Sequence, residues 1–293
     1  MNHFTSTNFI TRLALIACAT LPASAMAEKF AKIDQAYAAS DANFIVNYAP
    51  VFDFDTDGCL PTSAISRTGL QNPGLKPSGS ITGQCRENAF LPTANTYHRS
   101  VRRTVNGVNY DAHMYELYFE KDQATIFGGG HRHDVETVIV MFKNGQPTYV
   151  AASAHGAYSV KTYAEIQKRN GTHPAIVYHK DGVLTHAFRF AKSGENPENA
   201  YGQWLTPAIV SWNSAQVAGS LSNAQYRAKL NSFDFGSASF KTKDSNFLSQ
   251  VNTLRDHLPA EYPVFQARVL ARYAARSGRL PPPVLLLMNP GQN

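Results

Sequence analysis

The feature that most constrains this chain is a pair of strand-forming runs separated by a glycine-rich, charge-dense break. Asp111–Lys121 is aromatic and partly alternating, and Glu136–Phe142 is a continuous apolar run suited to a core strand. Gly128-Gly129-Gly130 lies between them and permits a tight reversal. Further strand-like runs follow at Pro147–Ala154, Ala175–His179, Val183–Phe190 and Leu205–Trp212, with Lys180-Asp181-Gly182 as a hairpin signal. Upstream, Phe44–Phe54 reads as a strand interrupted by Pro50, residues 28–43 as helical or loosely ordered, and Gly58–Gly83 as a turn-rich loop. Helices are expected at Tyr163–Lys168 and Ser245–Arg255. Strands at this density predict a mainly β chain, an antiparallel β-sandwich flanked by helices.

Composition sets the compartment. A 43% hydrophobic content excludes global disorder, and 16% charged residues beside 14 Tyr and 17 Phe suit a β-rich secreted protein. No internal apolar run approaches the ~18 residues of a spanning helix. The net charge of +6 comes from scattered basic residues without a nucleic-acid motif, so anionic membrane surfaces are the better-fitting partner. Residues 1–27 read as a secretory signal, with Arg12, the apolar Leu13–Leu21 and a cleavage site at Ala25-Met26-Ala27. Leu15-Ile16-Ala17-Cys18 is a rival lipoprotein box, but its apolar core is thin. In an oxidising compartment Cys59 and Cys85 then pair, which contributes about 3–4 kcal/mol in the chain-entropy model. The expected partition is a signal at 1–27, a sandwich domain at 28–258, and a C-terminal extension at 259–293. That extension carries helical period from Ala260 to Ser277, an Arg268/Arg272/Arg276/Arg279 stripe and a Pro-rich tail.

The densest cluster of functional groups is Gly130-His131-Arg132-His133-Asp134-Val135-Glu136. A hairpin returns Asp122 beside His131. In a regular strand His131 and His133 share one face while Asp134 and Glu136 share the other. His131, His133, Asp134 and Glu136 therefore converge only if the backbone is irregular near His133–Asp134, which the glycines permit. Three carboxylates and one imidazole form an oxygen-heavy set that prefers a hard cation, Mg²⁺ or Ca²⁺. The H-x-H-x-D-H, cupin, H-E-x-x-H and G-x-S-x-G patterns of metallo- and serine hydrolases do not match, so the cluster reads as a metal site that need not be catalytic, with an ordinary salt-bridged polar loop as the alternative. A second acidic run, Asp53-Phe54-Asp55-Thr56-Asp57-Gly58, imitates the start of an EF-hand. Its twelfth position is Ala64, where Glu is required, so it reads mainly as an acidic turn, with a second Ca²⁺ site as the alternative.

Ala112–Asp122 followed by Gly130–Glu136 resembles the signature of the necrosis- and ethylene-inducing peptide 1-like proteins, the NPP1-type cytolysins, whose heptapeptide is G-H-R-H-D-W-E. Ser153–Tyr158, Phe235–Ala238 and the cysteine pair agree, and the resemblance covers roughly residues 40–256. It implies an actinoporin-like sandwich, a monomeric state and a divalent cation held by Asp122, His131, Asp134 and Glu136. It also implies non-enzymatic membrane damage through binding of the sugar head groups of glycosylated inositol phosphoceramide in plant plasma membranes. His155 is implied at the pocket rim, and His133 as either an outer-layer or a core histidine. Val135 replaces the motif tryptophan, Glu120 replaces a proline, and the Asp122–His131 loop is one residue longer. The alternatives are a non-cytotoxic glycan-binding relative, suggested by Val135, and a metal-dependent hydrolase.

Overall fold

A computed structural model describes residues 30–214 and 221–266. The signal segment, Cys18, the arginine stripe and the Pro-rich tail lie outside the described residues. Ten strands are described: β1 (Val51–Phe54), β2 (Asn95–Val105), β3 (Val108–Thr125), β4 (Gly128–Lys143), β5 (Gln146–Ala154), β6 (Ala157–Thr162), β7 (Lys168–Arg169), β8 (His173–Lys180), β9 (His186–Phe190) and β10 (Ala208–Ser211). The larger sheet runs β10-β2-β3-β4-β5-β6, and in the smaller β8 pairs with β1, β7 and β9. The expectation of a purely antiparallel sandwich is corrected in one respect. Each sheet contains one parallel pair, β1 with β8 and β10 with β2, made by short strands that arrive through long connections.

Period-2 alternation builds the core. Leu117 and Phe119 of β3 and Val138, Val140 and Phe142 of β4 point between the sheets, where they meet Phe52, Phe54, Ile176, Tyr178 and Phe188. Each such side chain contributes roughly 1.5–3 kcal/mol by burial. The opposite face is also apolar and is covered by helices. Tyr97, Tyr118 and Val135 lie under Tyr226 and Leu230 of α2 (Asn223–Ser232), which a Ser222/Gln225 capping box starts. Met114, Ile139 and Met141 lie under Phe247 and Val251 of α3 (Phe247–Asn252).

Three local expectations are corrected. Phe44–Tyr48 belongs to a helix, α1 (Ala39–Tyr48), which ends just before Pro50. Over Tyr163–Lys168 the chain makes a turn at 163–166 and enters β7 at Lys168, and the Glu165 carboxylate accepts from both the amide and the hydroxyl of Thr162. Residues 260–266 are irregular, and the expected helix does not begin at Ala260. Pro263 interrupts the segment, Tyr262 and Phe265 are buried, and Asn252 both donates to and accepts from the Phe265 backbone.

Cys59 and Cys85 are joined, as expected, and close the turn-rich loop. The EF-hand-like turn carries its own cation. The Arg86 guanidinium donates to the carbonyls of Asp55 and Gly58, each at 2.7 Å, and of Phe54 at 3.2 Å. Asp53 accepts from the amides of Glu198 and Asn199 and from the Asn199 side chain.

Candidate functional site

The β3–β4 hairpin supplies most of the site. Its register is constant from Tyr110↔Lys143 to Thr125↔Gly128, and Asp122 stands opposite His131. Gly130 is required there. A Cβ at that position would lie 2.1 Å from the Asp122 carbonyl oxygen. The Asp122, His131 and Asp134 side chains each offer a ligand atom within 4.8 Å of the others. Glu136 stands outside this trio, where its carboxylate accepts from the Ser153 hydroxyl.

Asp122 is 1% exposed and is anchored from the other sheet. The His186 amide donates to one carboxylate oxygen and His186 Nδ1 to the other, both at 2.7 Å. Tyr178 donates its hydroxyl to Asp134 at 3.0 Å, and its ring stacks on Phe119. Burial pushes the Asp134 carboxyl up to about 6, and the neighbouring Asp122 charge adds to that, against His131 and the Tyr178 hydrogen bond. Burial also pushes Glu136 well up, with Asp134 adding to the effect and Ser153 opposing it. His186 is pushed up as well, which for an imidazole favours the charged form. Burial lowers its pKa, but the hydrogen bond and charge of Asp122, helped by Asp57 and Asp134, outweigh burial and raise it. Carboxylates crowded in this way resist ionisation unless a positive charge joins them. Free lone pairs on Asp122, His131 and Asp134 supply hard, largely oxygen ligands for such a charge.

His131 and Asp134 of the trio border an open cavity of about 250 Å³. Glu136, Ser153, His155 and His186 continue its wall, and Ser237–Lys241 forms the opposite side. His155 sits at the wall with its Nε2 3.1 Å from Asp181. Val135 packs in the cluster beneath α2 and also borders the cavity. Arg132 and His133 face away. Arg132 donates to the carbonyls of Pro73 and Gly74, which draws the disulfide-closed loop onto the back of the hairpin. His133 is a core histidine with Nδ1 2.7 Å from the Tyr118 hydroxyl, and burial, reinforced by Arg132, pushes its pKa down to about 4. Glu120, at the motif's proline position, occupies a rung missing from the β3–β4 ladder.

Sequence reasoning missed His186 and Tyr178. The available signal was phase, since His186 shares the inward alternation of Phe188 and Phe190 and an imidazole in that phase calls for a buried partner. Nothing comparable marked Tyr178, which reads as an ordinary core aromatic.

Comparison with known proteins identifies relatives in both sequence and fold. The family described as necrosis inducing protein (NPP1) matches residues 42–254. NLP effector protein 10 of Phytophthora capsici is 31% identical over 211 residues, 70% of this chain and 80% of that protein. The structure of NLPPya in complex with mannosamine superposes with a TM-score of 0.60 at 28% identity, covering 76% of this chain and 94% of that one. The non-toxic HaNLP3 protein shares the fold with a TM-score of 0.62 at 24% identity, covering 77% and 96%. The family match over residues 42–254 and the shared fold show that this chain belongs to the NPP1 family of necrosis-inducing proteins.

Proposed function

We propose that this protein is a secreted, monomeric cytolysin that depends on Mg²⁺ or Ca²⁺. It takes the sugar head group of glycosylated inositol phosphoceramide in plant plasma membranes and damages the bilayer without bond chemistry. The observation that carries this reading is the convergence of Asp122, His131 and Asp134 beside an open, polar cavity. These three residues would hold the cation, with Glu136 closing the set from the cavity wall. A bound cation would supply charge neutralisation and further coordination to sugar hydroxyls. Glu136, Ser153 and Lys241 offer the mixed acceptors and donors that a polyhydroxyl ligand needs, and the mannosamine held by NLPPya has the same chemistry. The membrane part of the reading is supported by two loops that emerge beside the cavity. The β3–β4 turn exposes Ile126 (61%) and Phe127 (95%), and the β8–β9 loop exposes Val183 (84%) and Leu184 (53%). Apolar tips beside a head-group pocket suit contact with a lipid surface.

Dye release from vesicles containing the plant sphingolipid, compared with phosphatidylcholine vesicles, tests this. Leakage is expected only with the sphingolipid, and it is expected to stop on chelation and in Asp134→Asn. Leakage that ignores the chelator overturns the role of the cation. Cation-dependent head-group binding without leakage replaces the cytolysin by a non-cytotoxic glycan binder.

A further inference from the structure

The trio should not converge at all by the rule that governs the rest of the hairpin. In β4 the even-numbered Val138, Val140 and Phe142 face the inter-sheet core, whereas Val135, Ile139 and Met141 face the helices. In β3 the odd-numbered Tyr115, Leu117 and Phe119 face inward. Unbroken alternation would turn Asp134 inward and send His131 and Asp122 to the helix side. Instead Asp122 reaches His186 on the other sheet, and His131 joins it. The register does not slip, because Phe119↔Asp134, Lys121↔Arg132 and Asp122↔His131 keep one frame. The alternation breaks at the missing Glu120–His133 rung, where His133 has φ +61°. Two successive side chains then point outward on β4. Arg132 contacts the loop at Pro73–Gly74, and His133 contacts Tyr118 and Phe235.

We infer that His133 is the positioning residue of this site, and that its left-handed backbone turns His131 and Asp122 into the cleft. This rests on the cation-site reading above and adds a part to it. A left-handed conformation is unfavourable for a residue with a Cβ, so it must be held in place. The Tyr118 hydroxyl holds Nδ1, Phe235 packs edge-on at 5.2 Å, and Gly74 abuts the ring so closely that a Cβ there would lie 2.5 Å from it. The same turn aims the His133 carbonyl back along the strand. His131 Nδ1 donates to it at 2.6 Å. That hydrogen bond fixes the His131 tautomer and leaves Nε2 as the free lone pair. One residue thus sets both the direction of a ligand and its protonated nitrogen.

The test compares His133→Gly, which accepts positive φ, with His133→Val, whose branched Cβ resists it. The first readout is the His131 tautomer, from imidazole nitrogen shifts in the metal-free protein. The second is titration with Mn²⁺ alone. Wild type and His133→Gly are expected to hold the Nδ1–H tautomer and to bind Mn²⁺ within about threefold of each other. His133→Val is expected to mix tautomers and to lose about tenfold or more in Mn²⁺ affinity. If His133→Val does not fold, His133→Ala takes its place, with the same direction and a smaller loss relative to glycine. A folded valine or alanine variant with an unchanged tautomer and unchanged Mn²⁺ affinity overturns the inference. If wild type takes up no Mn²⁺ but the tautomer depends on residue 133 as described, the cation reading fails and the positioning role stands.

Discussion

Two acidic regions of this molecule have similar compositions and opposite electrostatics. Around the EF-hand-like turn, Asp53, Asp55 and Glu198 have cationic side chains built in. Arg86 occupies the carbonyl-lined seat, and Arg189 lies 3.7 Å from Asp55 and 2.5 Å from Glu195. In the cleft, Asp122 and Asp134 instead receive an imidazole, an amide and a phenol. An acidic cluster that carries its own arginine is a structural element. One that leaves its charge to imidazole and neutral donors has room for an ion. Counting carboxylates along the chain does not distinguish the two cases, whereas finding the resident countercharge does.

The largest expected effect that would break this contrast is at Arg86. Arg86→Ala leaves three carbonyls and a carboxylate cluster without their cation, and a loss of about 3 kcal/mol is expected in urea denaturation, whether or not divalent ions are present. If added Ca²⁺ restores that loss, the turn is a cation site after all. Asp134→Asn addresses the other region. Wild type is expected to gain about 2.7 kcal/mol at a cation concentration of 100 times Kd. The asparagine variant is expected to gain none, and in chelator to be at least as stable as wild type. Thermal unfolding with and without Mg²⁺ measures both, and a variant still stabilised by the ion contradicts the assignment. The smallest effect is at Asp55, whose half-buried carboxyl is pushed up to about 6 by burial, with Glu198, Asp53 and Asp57 adding to the shift against Arg189. A raised acid favours the folded state at pH below about 3.8, and that advantage disappears as pH rises through about 6. Asp55→Asn is therefore expected to be neutral at pH 4 and to stabilise by about 1 kcal/mol at pH 7.5, after allowance for solvent screening. A pH-independent effect of that substitution would place its cause in packing.

Much of this was legible from sequence where one rule dominated. β3, β4, β5 and β8 follow apolar runs closed by turn residues, and the need for a break near His133 followed from side-chain parity alone. β2 was not legible, because Arg99, Arg102 and Arg103 make it read as a polar loop. In the fold Arg99 is buried between the Trp212 and Phe247 rings, with Asp244 at 3.0 Å. α2 was missed because Tyr226 and Leu230, four residues apart, provide most of its buried surface among polar neighbours. Of the site, the hairpin ligands were visible and the partners from the second sheet were not. His186 and Tyr178 meet Asp122 and Asp134 only through tertiary pairing, at separations of 64 and 44 residues.

The His186–Asp122 contact also has a mechanical side. Asp122 rides on one sheet and His186 on the other, so their paired hydrogen bonds form a latch across the seam of the sandwich. A load that slides one sheet past the other strains that latch and is passed directly to Asp122.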